Sequence, residues 1–128
     1  MSEITIRKRG GRLNILIYGQ AYEQNDLAKM IENCGPMQYR KIVFSKPKGY
    51  DEYLDEMKRI TPHMVFVYEK GADGMEAVIA AKSLHPRTSV IWFSNDAGFL
   101  PESYRLGCTY FTAEPVTDEV IRQAIKLC

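Results

Sequence analysis

Cysteine is scarce in this sequence. The chain of 128 residues has three, Cys34, Cys108 and Cys128, and no two of them form a CxxC pair. An odd count without paired spacing argues against a disulfide framework and against a zinc site, and it favours the reducing cytoplasm. We expect Cys34 and Cys108, which both stand next to a glycine, to pack as small buried apolar groups.

Long apolar runs and an excess of charge of one sign are also missing. No stretch approaches the roughly 20 apolar residues that a membrane helix needs, and no apolar signal segment follows Met1. The 17 Lys and Arg residues nearly balance the 16 Asp and Glu residues, whereas nucleic-acid-binding domains are usually strongly basic. The sequence therefore predicts a cytoplasmic protein that contacts neither a membrane nor, through this domain, a nucleic acid.

Apolar and aromatic residues are present in the amounts that a folded domain needs. The chain is 45% hydrophobic, with eight Tyr, five Phe and one Trp. This content argues against disorder, and the length fits one core of the usual size of about 100–150 residues.

Apolar runs alternate with helical patterns along the chain. The runs that predict strands cover residues 14–18, 41–44, 63–68, 89–93 and 109–111. Apolar residues at helical spacing follow each run, near residues 27–34, 50–60, 75–84, 100–106 and 117–128. Strands that are apolar throughout are typical of a parallel sheet covered on both faces. We therefore predict an α/β fold, a doubly wound five-stranded parallel sheet, with residues 71–74 as a loop.

Residues 1–12 precede this alternating pattern. Apolar and polar residues alternate over 3–7, and Gly10-Gly11 can turn the chain toward the first strand. An extra edge strand and a weakly ordered basic leader remain alternatives for this segment. The predicted domain covers residues 13–128.

Three local motifs resemble the receiver domain of bacterial response regulators, over roughly residues 13–127. Residues 105–115, Arg-Leu-Gly-Cys-Thr-Tyr-Phe-Thr-Ala-Glu-Pro, resemble the receiver segment Gly-Ala-x-x-Tyr-x-x-Lys-Pro. Residues 72–77, Ala-Asp-Gly-Met-Glu-Ala, resemble the Met-Asp-Gly-x-Glu that opens the third receiver helix. Residues 61–67, Thr-Pro-His-Met-Val-Phe-Val, resemble the Pro-Asp-Leu-Val-Leu-Leu that leads to the phosphoacceptor.

Further motifs narrow the resemblance. Residues 92–96, Trp-Phe-Ser-Asn-Asp, together with 102–105, Glu-Ser-Tyr-Arg, are most similar to receivers of LytTR-type regulators. The resemblance implies a flavodoxin-like fold and a role in two-component, or phosphorelay, signalling. It also makes Glu114–Pro115 a candidate cis bond, a choice that the sequence leaves open.

The chain departs from the receiver pattern at the positions that the resemblance assigns to phosphorylation. The paired acids that hold Mg²⁺ fall on Gly19 and Gln20, and the acceptor Asp falls on Tyr68. The Lys falls on Glu114, and Ser94 alone keeps a compatible hydroxyl. A phenol with a pKa of about 10 forms no acyl phosphate, and a carboxylate repels the phosphoryl group that a Lys attracts. The sequence predicts a degenerate receiver with no cofactor, no metal and no enzymatic activity.

Two other interpretations of this region stay open. Glu69 or Asp73 can serve as a phosphoacceptor in an unusual arrangement of the site. For Glu69, a one-residue shift in the register of the third strand would aim the side chain into the site. Alternatively, the altered site holds a small molecule. The residues expected to line such a site are Tyr18, Gln20, Tyr68, Ser94 and Glu114.

The resemblance also implies a contact surface, formed by the fourth helix, the fifth strand and the fifth helix. Phe111 occupies the position of the receiver switch aromatic, although a simple buried strand position is favoured. Aromatic and Arg residues are enriched at interface hot spots, so Tyr104 and Arg105 are the candidates for binding a protein partner or a second copy. A stand-alone receiver and a part of a longer regulator with a DNA-binding domain both remain open.

Overall fold

A parallel sheet of five strands runs through the middle of the molecule. The computed structural model describes residues 12–38 and 40–128, so the expectations for residues 1–11 lie outside the described residues. The strands are β1 (Leu13–Gly19), β2 (Ile42–Ser45), β3 (Met64–Tyr68), β4 (Ser89–Ser94) and β5 (Tyr110–Ala113). Their order is β2-β1-β3-β4-β5 and every neighbouring pair is parallel, which confirms the predicted fold.

A helix follows every strand. The helices are α1 (Ala21–Asn33), α2 (Tyr50–Arg59), α3 (Gly71–Leu84), α4 (Leu100–Leu106) and α5 (Asp118–Lys126). Helix α1 begins about two turns before the predicted apolar pattern. Its first turns are polar and mostly exposed, so they carry no apolar period for the sequence to reveal.

The prediction of a loop at residues 71–74 is wrong, because these residues form the first turn of α3. Gly71 has a φ of 54°, which a glycine adopts without strain. A Cβ on Gly74 would lie 2.5 Å from the carbonyl oxygen of Glu69 and 3.0 Å from Nε1 of Trp92. Gly74 therefore permits close packing of the helix, whereas Gly71 permits the left-handed backbone at its start. In the sequence, two glycines so close together are also typical of a loop.

Two predicted helix boundaries are confirmed. The Thr117 hydroxyl accepts a hydrogen bond from the amide of Val120 at 3.2 Å and caps α5. Gly107 ends α4 in the left-handed conformation, with a φ of 78°.

Apolar side chains fill both sides of the sheet. Ile17 and Phe66 face the layer under α1 and α5, whereas Leu16, Val67 and Trp92 face the layer under α2 and α3. Because successive side chains of a strand point to opposite faces, a strand covered twice is apolar throughout. This double cover explains the uninterrupted apolar runs.

The three cysteines differ in exposure. Cys34 is buried, as predicted, and Cys128 is exposed, but Cys108 is only half-buried. Burial raises the pKa of the Cys108 thiol to about 11. Within residues 12–38 and 40–128, no helix is long and apolar enough to cross a membrane.

Candidate functional site

The carboxyl ends of the central strands bring most of the predicted site residues together. Gly19 at the end of β1 lies opposite Tyr68 at the end of β3, and Ser94 at the end of β4 lies opposite Ala113. The amide of Glu114 donates to the carbonyl oxygen of Ser94 at 2.9 Å, which fixes Glu114 at the same edge. In open parallel sheets, ligand sites lie at this edge.

A hydrogen bond between two of these residues spans the edge. The Tyr68 hydroxyl donates to Oε2 of Glu114 at 2.8 Å, and its ring packs edge-on against Phe93 with 5.9 Å between centroids. Burial raises the pKa of the Tyr68 phenol most, and the hydrogen bond and charge of Glu114 raise it further. Tyr68 is therefore a neutral donor to a carboxylate. The peptide bond between Glu114 and Pro115 is cis.

The strands β1 and β3 approach each other closely at Gly19. A Cβ at this position would lie 2.6 Å from the carbonyl oxygen of Tyr68. The backbone as it stands therefore excludes any side chain at the position where the receiver pattern has an acid. The neighbouring Gln20 turns its amide to Glu69, with 3.4 Å between Nε2 and Oε2.

The register of β3 places Tyr68, and not Glu69, opposite the end of β1. Glu69 follows the strand, and its carboxylate also accepts a hydrogen bond from the amide of Lys70 at 3.2 Å. Asp73 is exposed in the first turn of α3. The structure therefore does not have the one-residue shift on which the interpretation of Glu69 as the acceptor depends.

A small acidic cavity of about 150 Å³ lies beside the hydrogen bond between Tyr68 and Glu114. Six of its lining residues are Gln20, Tyr22, Glu23, Tyr68, Glu69 and Glu114. Burial raises the pKa of Glu23, against an opposing backbone hydrogen bond, and the charges of Glu114 and Glu69 add to the rise. Tyr22 and Glu23 were not predicted as lining residues, because the apolar pattern of α1 begins at Leu27 whereas the helix itself begins at Ala21.

Two residues of the predicted small-molecule site lie away from this cavity. Ser94 is 1% exposed, and its hydroxyl accepts a hydrogen bond from the amide of Asp96 at 3.2 Å. Tyr18 lies on the opposite side of the sheet, with its ring 4.6 Å from that of Tyr53. The predicted set therefore does not line one cavity.

The predicted contact surface presents an aromatic and a basic residue on α4. Tyr104 is 76% exposed. Arg105 is also exposed and pairs with Glu102 one turn before it. Phe111 is half-buried and packs edge-on against Trp92, with 5.1 Å between ring centroids.

Comparison with known proteins gives structural matches only. No family model and no curated protein matches the sequence. A LuxR family DNA-binding response regulator from Silicibacter pomeroyi is 12% identical with a TM-score of 0.72, over 89% of this chain and 88% of that one. The pilus assembly protein CpaE from Caulobacter crescentus is 17% identical with a TM-score of 0.70, over 90% and 98% of the two chains.

A third match is a signalling domain of another protein class. The signal receiver domain of a modulated diguanylate cyclase from Desulfovibrio desulfuricans is 17% identical with a TM-score of 0.67, over 91% of this chain and 93% of that one. At these identities a structural likeness establishes the fold and leaves the activity to the site. The chain has the flavodoxin-like fold of a response-regulator receiver domain.

Proposed function

We propose that this chain is a degenerate receiver, a signalling module that takes no phosphoryl group and acts by binding a protein. The observation that carries the proposal is the hydrogen bond from Tyr68 to Glu114, at 2.8 Å. By the resemblance, these two positions belong to the phosphoacceptor and to the Lys that neutralises the phosphoryl charge. Here they are occupied by a neutral phenol and a carboxylate that satisfy each other.

The chemistry of phosphoryl transfer supports this proposal. Transfer to a receiver needs a carboxylate nucleophile, oxygen ligands for Mg²⁺ and a positive charge near the phosphoryl oxygens. Tyr68 supplies no carboxylate, Gly19 supplies no ligand, and Glu114 adds negative charge. At about 4 Å and an effective dielectric of about 20, a reversed charge is worth several kcal/mol. We accordingly propose a non-enzymatic role without a cofactor, in the cytoplasm.

Beryllofluoride with Mg²⁺, which imitates an aspartyl phosphate, tests the proposal. A ligand that binds only the folded state raises the melting temperature. We expect no saturable change in melting temperature at millimolar Mg²⁺ and beryllofluoride, compared with Mg²⁺ alone. A saturable, Mg²⁺-dependent rise would overturn the proposal.

Two variants identify the acceptor if such a rise occurs. Loss of the rise in Glu69→Gln would assign the site to Glu69, and its loss in Asp73→Asn would assign it to Asp73. The exposed Glu32→Gln on α1 is the control for a general effect of charge removal. The test therefore separates the degenerate receiver from the unusual acceptor.

For protein binding we propose the surface of α4, β5 and α5, with Tyr104 and Arg105 as its principal contacts. Tyr104 exposes 76% of its surface, which leaves a large aromatic ring unburied in the free chain. Aromatic and Arg side chains contribute most of the binding energy at many interfaces. The occupant is a protein partner or a second copy of this chain.

Light scattering on the isolated chain tests the second-copy form of this proposal. If the chain self-associates through this surface, Tyr104→Ala and Arg105→Ala each weaken association by about tenfold or more. Tyr22→Ala and Arg87→Ala, at exposed positions on other surfaces, are the matched controls and leave association unchanged. Self-association that survives both α4 variants would contradict the assignment.

A further inference from the structure

A second and larger cavity lies at the same edge of the sheet, between the start of α1 and the loop before α2. Its volume is about 440 Å³, within the range of about 300–1,000 Å³ that is usual for small-ligand sites. Six of its lining residues are Tyr18, Gln20, Ala21, Gln24, Lys48 and Glu69. It shares only Gln20 and Glu69 with the lining of the acidic cavity beside Tyr68.

Gln24 presents an unpaired acceptor to this cavity. The side chain is only 4% exposed, and its Nε2 donates to the carbonyl oxygens of Ile17 at 2.9 Å and Pro47 at 2.7 Å. These two bonds fix which side of the amide is nitrogen, so Oε1 points away from both carbonyls. In the described part of the chain no donor is bonded to Oε1, and this oxygen is not among the fully buried unpaired atoms, so it is accessible to a ligand in the cavity.

Tyr18 presents a second unpaired polar atom. The residue is 8% exposed, and its ring packs against those of Tyr50 and Tyr53 in a cluster of three. Among residues 12–38 and 40–128, its hydroxyl has no hydrogen-bond partner, whereas the hydroxyl of Tyr53 donates to the Ala77 carbonyl oxygen at 2.6 Å. Two residues that are more than nine-tenths buried therefore each have a polar atom that bonds to no described residue and is accessible at one cavity.

The charges around the cavity are balanced. Lys48 is the cation of its lining and Glu69 is the anion. The first amides of α1 add hydrogen-bond donors, because the N-cap residue Gln20 makes no side-chain cap bond. A helix of this length also favours a negative group at its start. The lining therefore offers acceptors for a positive group together with donors for a negative group.

We propose that this cavity binds a free α-amino acid. The ammonium group bonds to the Glu69 carboxylate and to Oε1 of Gln24, and the carboxylate bonds to Lys48, the Tyr18 hydroxyl and the first amides of α1. A ligand with one charge would leave either Lys48 or Glu69 without its counterpart, so the zwitterion fits the lining best. This inference goes beyond the proposed function, because it requires neither a protein partner nor a phosphoryl group.

Thermal denaturation of the whole chain with each of the twenty common L-amino acids, at up to about 10 mM, tests the proposal. We expect at least one of them to raise the melting temperature saturably and to shift the amide resonances of Gln20, Ala21 and Lys48. Two analogues of that amino acid, the amine without the carboxylate and the acid without the ammonium, should bind at least about tenfold more weakly, since each loses a charge-assisted contact. Equal binding of either analogue would contradict the zwitterion.

Variants at the cavity locate the binding. Glu69→Gln and Lys48→Met should each raise the dissociation constant at least about tenfold, and Tyr18→Phe should raise it several-fold without unfolding the chain. The controls are Lys46→Met and Glu32→Gln, which remove charges of the same sign outside the cavity lining. The proposal would be overturned if none of the twenty amino acids raised the melting temperature saturably. It would also be overturned if the control variants raised the dissociation constant as much as the cavity variants. The beryllofluoride titration tests the proposed function independently of this result.

Discussion

At the scale of single residues, Tyr68 makes the carboxyl edge sensitive to alkaline pH. Its phenol donates to Glu114, and burial together with that carboxylate raises its pKa above the ordinary value of 10.0. The folded protein therefore keeps this proton at a pH where the unfolded chain has released it. Stability from such a group is complete below the unfolded pKa and is lost as the pH rises toward the folded pKa.

We expect the free energy of unfolding of the wild type to fall as the pH rises above about 10. Tyr68→Phe should lower this free energy by about 1 kcal/mol at neutral pH, through loss of a half-exposed hydrogen bond to a charge, and should make the alkaline decline shallower. Glu114→Gln, which removes the charge but keeps an acceptor, should give an intermediate slope. Urea unfolding at several pH values measures the free energy of unfolding and its dependence on pH. If this free energy falls as steeply with alkaline pH in Tyr68→Phe as in the wild type, the role of the Tyr68 phenol is refuted.

Gly19 limits how far the receiver pattern can be restored. We expect Gly19→Asp and Gly19→Ala each to lower the free energy of unfolding by about 1–3 kcal/mol, because a Cβ there meets a backbone oxygen and the strands must separate. The contact distance is 2.6 Å, to the carbonyl of Tyr68. Gly35→Ala is the control, since a Cβ at Gly35 meets nothing within 4 Å. Unchanged stability in Gly19→Ala would show that the two strands adapt freely.

Residues of this site differ in how well the sequence predicts them. The positions of Tyr68 and Gly19 follow from the phase of two apolar strands, and the structure places them opposite each other. Tyr22 and Glu23 were not predictable, because the polar start of α1 has no apolar period. Tyr18 does not line the cavity beside Tyr68, because its side chain packs in the apolar layer on the other face of the sheet.

At the scale of elements, the first turn of α3 shows how packing can require residues that usually break helices. Gly74 is buried against the carbonyl of Glu69 and the indole nitrogen of Trp92. Glycine costs an exposed helix roughly 1 kcal/mol relative to alanine, which is why two glycines in four residues predicted a loop. The tertiary contact of this helix with β4 therefore outweighs its local propensity.

Because packing outweighs helix propensity at Gly74, a glycine-to-alanine change there should destabilise the protein. Gly74→Ala should lower the free energy of unfolding by at least about 1 kcal/mol, although the same change at an open helical position raises it, because overpacking costs about 1–3 kcal/mol and the nearest atom is backbone. Ser83→Ala, on the exposed end of α3, is the control and should raise stability by a few tenths of a kcal/mol. Urea unfolding followed by the fluorescence of the single Trp measures both, and stabilisation by Gly74→Ala would contradict the packing argument.

At the scale of the whole molecule, the sheet joins two apolar layers that have no other shared element. Trp92 lies in the layer under α2 and α3, whereas Phe66 and Phe93 lie in the layer under α1 and α5. The sequence predicts this arrangement well, because strands in which apolar and polar residues do not alternate are typical of a parallel sheet with helices on both faces. Four of the five strands contribute side chains to both layers, whereas the edge strand β2 contributes only Ile42 and Phe44, both to the layer under α1 and α5. The four shared strands therefore couple the two layers.

Adjacent residues of β1 test this coupling. Leu16 is fully buried in one layer and Ile17 in the other, so Leu16→Ala and Ile17→Ala should each lower the free energy of unfolding by about 2–5 kcal/mol. Val43→Ala, at a residue of the edge strand that is 40% exposed, should cost less than about 1 kcal/mol.

The informative comparison is between two probes of the same urea titration. Trp92 fluorescence reports on the Leu16 layer, while circular dichroism reports on all helices and strands. If the sheet couples the layers, Ile17→Ala lowers the fluorescence midpoint as much as the dichroism midpoint, although Ile17 lies across the sheet from Trp92. A fluorescence midpoint that stays at its wild-type value in Ile17→Ala would mean that the Trp92 layer unfolds separately. In that case the five strands would not form one cooperative unit, and a change at one face of the domain would not reach the other through the sheet.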